Sequence, residues 1–250
     1  MDKKDGIDGV FKLLDDWKSL PNYQLERRAD IYFAYYLPMI MNKFLNPNND
    51  EEGELITESC IIPEFPVRKT SLKEEDNRSF KIDYVVFGKR TVYFVELKTD
   101  IDSFDSEQYR NLYEAREIGV AELIMRLSLI HNASIKTYGE NKCKYGALQE
   151  RLYNVGIVYD YKTEIFRKEC SKQYNDITII YIQPICDTES MKKKKDKTLE
   201  QIKQNNSAEV VITFKDVIEA LRTETSDDLA SRFCKSLQEW EKQEEKKNEE

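Results

Sequence analysis

Histidine is almost missing from this chain of 250 residues, which holds only His131. That excludes zinc centres built on several histidines, HNH-type nucleases and paired-histidine phosphodiesterases. His131 itself, near a helix end, is expected to be a capping or surface residue rather than a catalyst. Neither a G-x-x-x-x-G-K-[ST] loop nor a G-x-G-x-x-G turn occurs, so the P-loop and Rossmann readings lose their signatures. No G-x-S-x-G elbow is present to hold a nucleophilic serine. Glycine (8) and proline (6) are scarce, which removes collagen-like and linker-rich classes.

Positive charge is in deficit, with 39 Lys+Arg against 47 Asp+Glu and a formal net charge of −8. A uniformly basic, nonspecific nucleic-acid coat is therefore excluded, although a local basic groove is not. The cysteines Cys60, Cys143, Cys170, Cys186 and Cys234 are scattered and form no C-x-x-C pair. Zinc-knuckle and redox readings fall, and a reducing compartment fits. No apolar run approaches the ~18 residues of a membrane span. The opening Met1-Asp2-Lys3-Lys4-Asp5-Gly6 has no apolar stretch of the kind a signal peptide needs. A cytoplasmic protein without a membrane partner is expected.

What is present reads as one α/β domain over residues 1–250. Val10 to Leu20 and Asn22 to Leu45 have helical periodicity, with Asn22 as an N-cap and Pro38 as a possible kink. Leu55 to Arg68 reads as extended, with Pro63 and Pro66 suggesting an edge or bent strand. Ser71 to Ser79 is a charged connection. Phe80 to Phe87 and Thr91 to Lys98 are strong strands, joined through Gly88-Lys89-Arg90 as a hairpin. A single long helix is expected from Ser106 to His131, with Asp102, Ser103 and Asp105 as N-cap candidates. Asn154 to Tyr159 and Ile177 to Ile185 read as two further strands, and Val210 to Phe214 as a short one. Lys192, Lys193, Lys194, Lys195 and Lys197 are expected in an exposed loop. Thr213 to Leu221 and Asp227 to Trp240 read as helices, and 241–250 as a charged, fraying tail.

The chemistry concentrates in the hairpin. Side chains alternate along a strand, so Glu96 and Lys98 share a face. A turn with an even number of residues sets odd-numbered positions of the first strand against even-numbered positions of the second, whereas a three-residue turn would break this parity. Asp83 then lies opposite Phe94 or Glu96, on the face of Glu96 and Lys98. Two carboxylates and an ammonium at the centre of a sheet need partners or a metal ion. Mg²⁺ favours a few carboxylate oxygens plus waters. An ammonium beside them can orient a water or stabilise charge developing on a phosphate.

Ile82-Asp83 in one strand, followed by Glu96-Leu97-Lys98 at the end of the next, resembles the PD-(D/E)XK nuclease superfamily. The resemblance implies a restriction-endonuclease-like mixed β-sheet flanked by helices, with a helix-strand-strand-strand-helix-strand core. That core would occupy about residues 22–160, followed by a sheet extension and C-terminal helix over 161–240. It implies metal binding by Asp83 and Glu96, a backbone carbonyl from Leu97, and water orientation by Lys98. Gln108 resembles the helical glutamine of RecB-like members. Their Q-x-x-x-Y spacing is not kept, since Leu112 holds the fourth place after Gln108 and Tyr113 the fifth. An acidic residue from the first helix often completes the site, which nominates Glu26, with Glu64 as its competitor.

The expected function is a Mg²⁺-dependent nuclease, with Mn²⁺ as the substitute ion, a hydrolase acting on nucleic acid and on DNA before RNA. The alternative keeps the fold without catalysis, as a binding or interaction module. Arg110 and Arg116 could meet phosphates, but ion pairs with Glu107, Glu114 or Glu117 are the default expectation.

Overall fold

The computed structural model describes residues 6–17, 25–46, 53–68, 79–138, 145–158, 174, 176–202 and 209–249. The expected Asn22 cap and most of the 71–79 connection lie outside the described residues. Two helices open the chain, α1 (Gly6–Trp17) and α2 (Leu25–Leu45). A 3-10 turn at Glu58–Cys60 leads into β1 (Ile61–Arg68), β2 (Ser79–Phe87) and β3 (Thr91–Leu97). Then follow α3 (Ser106–Ile118), α4 (Val120–Tyr138), α5 (Tyr145–Asn154), β4 (Asp176–Gln183), α6 (Glu189–Gln201), β5 (Glu209–Thr213), α7 (Phe214–Glu224) and α8 (Asp228–Glu249). The described strands form one open sheet in the order β1-β2-β3-β4-β5. β1, β2 and β3 pair antiparallel, and β3, β4 and β5 pair parallel. The chain is thus an α/β protein with a five-stranded mixed sheet and helices on both faces.

The mixture follows from the connections. A short turn can only return antiparallel, whereas the α3–α5 and α6 crossovers return parallel. Apolar residues on the two faces of the strands form two cores. One face packs against α1, α2, α7 and α8, around Phe11, Phe33, Phe214, Phe233 and Trp240. The other packs against α3, α4, α5 and α6, around Phe65, Phe94, Tyr109, Tyr113 and Tyr181. Phe33 meets Phe233 edge-on at 5.0 Å, a favourable aromatic geometry. Pro38 sits inside α2, which continues through it to Leu45.

Several expectations are corrected. The helix expected over 106–131 is two helices, broken at Gly119, whose φ of 80° lies in the region that favours glycine. Asp105, of the three cap candidates, accepts the N–H groups of Glu107 and Gln108 at 2.7 and 3.4 Å. The strand expected at Asn154–Tyr159 is instead the end of α5 and a turn, with Tyr159 outside the described residues. Gly156 (φ 79°) donates to Tyr153 O at 2.8 Å, and Ile157 donates to Leu152 O at 2.8 Å. That pair of bonds is a Schellman cap, and the apolar Ile157 that suggested a strand packs in the same core as Leu152. The next described strand after α5 is β4, at Asp176–Gln183.

The lysine run is helical, not a loop. Thr188 caps α6 by accepting from Met191 N, and Lys195 turns inward and is 5% exposed. Its ammonium bonds Asp187 at 2.6 Å and also Glu209, and lies 4.8 Å from the Tyr181 ring centroid. Two carboxylates and aromatic faces satisfy the buried charge. The 241–250 tail is likewise helical as far as Glu249, because Glu244 is fully buried and accepts Ile101 N–H at 3.2 Å.

The β2–β3 turn is tight. A Cβ added to Gly88 would lie 2.6 Å from Glu54 Oε2 and 2.9 Å from Thr91 O. Glu54 in turn accepts the Arg90 N–H at 3.1 Å. Gly88→Ala should therefore lower stability by about 1–3 kcal/mol through overpacking. Gly146→Ala, in open space within α5, should leave stability unchanged or raise it by up to about 1 kcal/mol. Urea unfolding of both variants measures the contrast.

Candidate functional site

The hairpin register is Tyr84↔Val95, Val85↔Phe94, Val86↔Tyr93 and Phe87↔Val92. The expected parity holds, and continuing it sets Asp83 opposite Glu96. There the two strands stop pairing by backbone alone. Asp83 Oδ2 accepts Leu97 N–H at 2.9 Å, and Glu96 Oε1 accepts Asp83 N–H at 3.4 Å. Each strand's carboxylate thus takes a backbone donor of the other strand.

β1 takes part in the same irregularity. Pro63↔Tyr84 and Phe65↔Ile82 pair on either side of Glu64, with no residue inserted. Glu64 has φ 51°, which is uncommon for a residue with a side chain. In an unbroken strand Ile82 and Val85 would face opposite sides. Both join the same core cluster, as do Ile62 and Phe65. The two strands therefore change face together at Glu64 and Asp83.

Around this twist the structure gathers most of the expected residues. Glu96 is fully buried and Lys98 is 5% exposed. The Lys98 ammonium lies 3.7 Å from Glu96 Oε2 and 4.0 Å from Glu26 Oε2. Lys98 is itself held to the sheet by its N–H on Ile182 O at 2.8 Å. Gln108, on the capped first turn of α3, donates to Glu96 Oε2 at 2.5 Å. Glu26, in the first turn of α2, faces the same cluster from the opposite layer. Of the two competing acids, Glu26 meets Lys98, whereas Glu64 is ion-paired with Lys81 at the exposed rim.

A cleft of about 320 Å³ opens here. Glu26, Arg27, Asp30, Glu64, Lys81, Asp83 and the end of β3 at Leu97 border it. Glu96 and Lys98 stand behind this wall rather than in it. Sequence reasoning missed Asp30, Arg27 and Lys81. Asp30 was findable, since it lies one helical turn after Glu26 on α2. His131, expected at a surface or cap, is buried against Tyr145, with ring centroids 6.0 Å apart, and burial lowers its pKa. Arg110 bonds Gln201 at 2.7 Å rather than serving the cleft, and Arg116 lies over the Tyr113 ring. Tyr113 is buried in the core.

The electrostatics are those of a crowded acidic site. Burial raises the pKa of Glu26, with Lys98 opposing. Burial also raises Asp83, opposed by the Leu97 N–H bond. Glu96 is raised well above the usual carboxylate range, by burial first and by Asp83 second. The donors are all oxygens, the set a hard divalent cation selects. Glu26, Asp83 and the Leu97 carbonyl could contribute from the cleft. Among the described residues, however, no three acidic, histidine or cysteine side chains are already gathered around one point. Both Glu96 oxygens are engaged by Gln108 and the Asp83 N–H. The chemistry of the donor set fits such an ion, and Glu96 would have to leave Gln108 to join it.

No family model, curated protein or solved structure matches this chain. The site is therefore argued from its own geometry. No helix among the described residues is long and apolar enough to cross a membrane.

A raised carboxylate pKa means the folded state holds its proton longer than the unfolded chain does. Stability is then full below the ordinary carboxylate pKa and declines as pH rises through the raised value. In metal-free buffer the melting temperature should fall as pH rises above about 4.5, the ordinary glutamate value. Glu96→Gln should flatten that fall, because the amide cannot ionise. Thermal melts of both proteins across pH in EDTA provide the measurement.

Proposed function

We propose that the chain is a metal-dependent nuclease that hydrolyses phosphodiester bonds in nucleic acid, with DNA as the first substrate to try. The observation that carries this reading is the meeting of Glu26, Asp83, Glu96 and Lys98 at one end of the sheet. They come from α2, β2 and β3, and the acids outnumber the ammonium. A divalent cation such as Mg²⁺ would supply Lewis-acid charge to the scissile phosphate. Glu26, Asp83 and the Leu97 carbonyl would hold it, joined by Glu96. Lys98 would orient the attacking water and offset charge as it develops on the phosphate. Gln108 holds Glu96 in the absence of the ion and would release it on binding. The PD-(D/E)XK resemblance of Ile82-Asp83 and Glu96-Leu97-Lys98 supports the same roles.

A second reading, a nuclease-like module that binds without cutting, is favoured by one observation. Glu96 is fully buried and already bonded to Gln108. Divalent-metal binding separates the two, because an acid locked to glutamine and lysine has no use for an ion.

The test is cleavage of linear and circular duplex DNA, single-stranded DNA, branched DNA and RNA in Mg²⁺, Mn²⁺ or EDTA. Wild type should cut only with metal. Lys98→Ala should lose about 10²–10³-fold in rate, the cost of removing one preorganised charge-stabilising donor. Asp83→Asn should abolish measurable turnover and weaken Mg²⁺ binding by calorimetry. Full activity of Lys98→Ala on every substrate cut would remove its assigned role. Absence of both cutting and metal binding would leave the non-catalytic module.

A further inference from the structure

The outer face of α2 combines exposed arginine and exposed apolar side chains beside the cleft. Arg27 and Arg28 are exposed, and Ile31 and Tyr35 are 64% and 60% exposed. At about 100° per residue these four fall within one sector of about 100°. That sector lies away from the buried Ala29, Phe33 and Ile40. The acids Glu26 and Asp30 fall outside it, on the cleft side, so the sector carries positive charge in a chain of net charge −8. Arg27 both belongs to the sector and lines the cleft, so the two surfaces are continuous. The Tyr35 ring is backed edge-on by Tyr36 at 4.9 Å. The Tyr36 hydroxyl is in turn anchored on Asp227 at 2.9 Å.

We propose that this face of α2 is a binding track for single-stranded nucleic acid, with Arg27 and Arg28 on phosphates and Tyr35 stacked against an unpaired base. The inference rests on the nuclease reading for what happens in the cleft, but its binding surface is separate. Exposed aromatic rings interleaved with arginine suit unpaired bases, because every base has a π-face and a duplex keeps its own covered. Ile31 extends the apolar surface beneath the strand. Tyr35 lies nine residues beyond Glu26 on the helix, about 14 Å along its axis. That distance is long enough for a few nucleotides of an unpaired strand. The substrate class is therefore a single-stranded segment or a frayed end that enters the cleft after crossing α2.

The experiment is fluorescence anisotropy with 5′-labelled oligothymidylate and oligouridylate of graded length, and with a blunt duplex. It uses the full chain in EDTA so that nothing is cut. Wild type should gain affinity with length over the first few nucleotides and then level off, once the strand spans α2 between the cleft and Tyr35. Tyr35→Ala should weaken single-strand binding about 5- to 150-fold, the range for loss of one stacking platform. Tyr35→Phe, which keeps the ring, should stay within about twofold, since stacking needs no hydroxyl. Arg28→Ala should reduce the salt slope by about 0.7. Tyr35 and Arg28 are exposed, so both variants should fold, and their melting temperatures confirm that.

Equal loss of duplex and single-strand binding in Tyr35→Ala, or no loss in either, would overturn the track. So would a wild-type dimer that Tyr35→Ala dissolves without any oligonucleotide binding, which would assign the face to a second copy. Tyr35-dependent binding without metal-dependent cutting would keep the track and remove the nuclease reading. Metal-dependent cutting with unaltered binding in Tyr35→Ala and Arg28→Ala would remove the track alone.

Discussion

The exchange of side-chain and backbone hydrogen bonds between Asp83 and Glu96 is the constraint on which the site depends. A sheet normally satisfies its donors by a regular ladder, and a charged side chain gains nothing by entering it. At this point the ladder parts, and the two carboxylates fill the donors it leaves. That fixes both acids within a few ångströms of each other in a mostly apolar setting. Their repulsion must then be met by Lys98, by Gln108, by protonation or by an added cation. Burial is the first cause of the raised pKa values of Glu26, Asp83 and Glu96, and for Glu96 the charge of Asp83 adds to it.

The remaining architecture brings the correct neighbours to that point. The crossover after β3 starts with a capped turn that delivers Gln108 to Glu96 from one layer. α2, on the opposite layer, delivers Glu26 to Lys98. Behind Glu96, its register partner Tyr181 forms one wall around the Lys195 ammonium, so a second buried charge network sits next to the first. Tyr181 is fully enclosed, and its hydroxyl pKa is raised by burial and then by Glu96. Satisfied polar networks of this kind hold rotamers firmly, which a site relying on sub-ångström placement requires.

Much of this was legible in the sequence, for identifiable reasons. β2, β3 and their register follow from short apolar runs and a glycine turn, where local rules dominate. Parity, given an even turn, set Asp83 opposite Glu96. Gln108 was legible as an early residue of α3, even though the tyrosine spacing did not match. What escaped depends on tertiary contacts. Lys195 reads as a surface residue within a lysine run, and only Asp187, Glu209 and three aromatic rings make its burial tolerable. Val155 to Val158 has a strand's composition but serves as a helix stop, because Gly156 supplies a left-handed backbone. The twist at Glu64 has no sequence signal beyond the flanking Pro63 and Pro66. The charged tail reads as solvated because the partner of Glu244 lies 143 residues earlier.

That last contact has a temporal meaning. The Ile101–Ser103 turn follows Lys98 almost directly, and its first N–H is closed by Glu244 on α8. A chain made from its N-terminus can form the β2–β3 hairpin and the Asp83–Glu96 exchange early, since those contacts are local. It cannot lock the turn beyond Lys98 until residue 244 has left the ribosome. During synthesis the Asp83–Glu96 exchange can therefore form before the turn beyond Lys98 is closed. The closing contact has a separation of 143 residues to bridge, and loop closure of that length is entropically costly and slow.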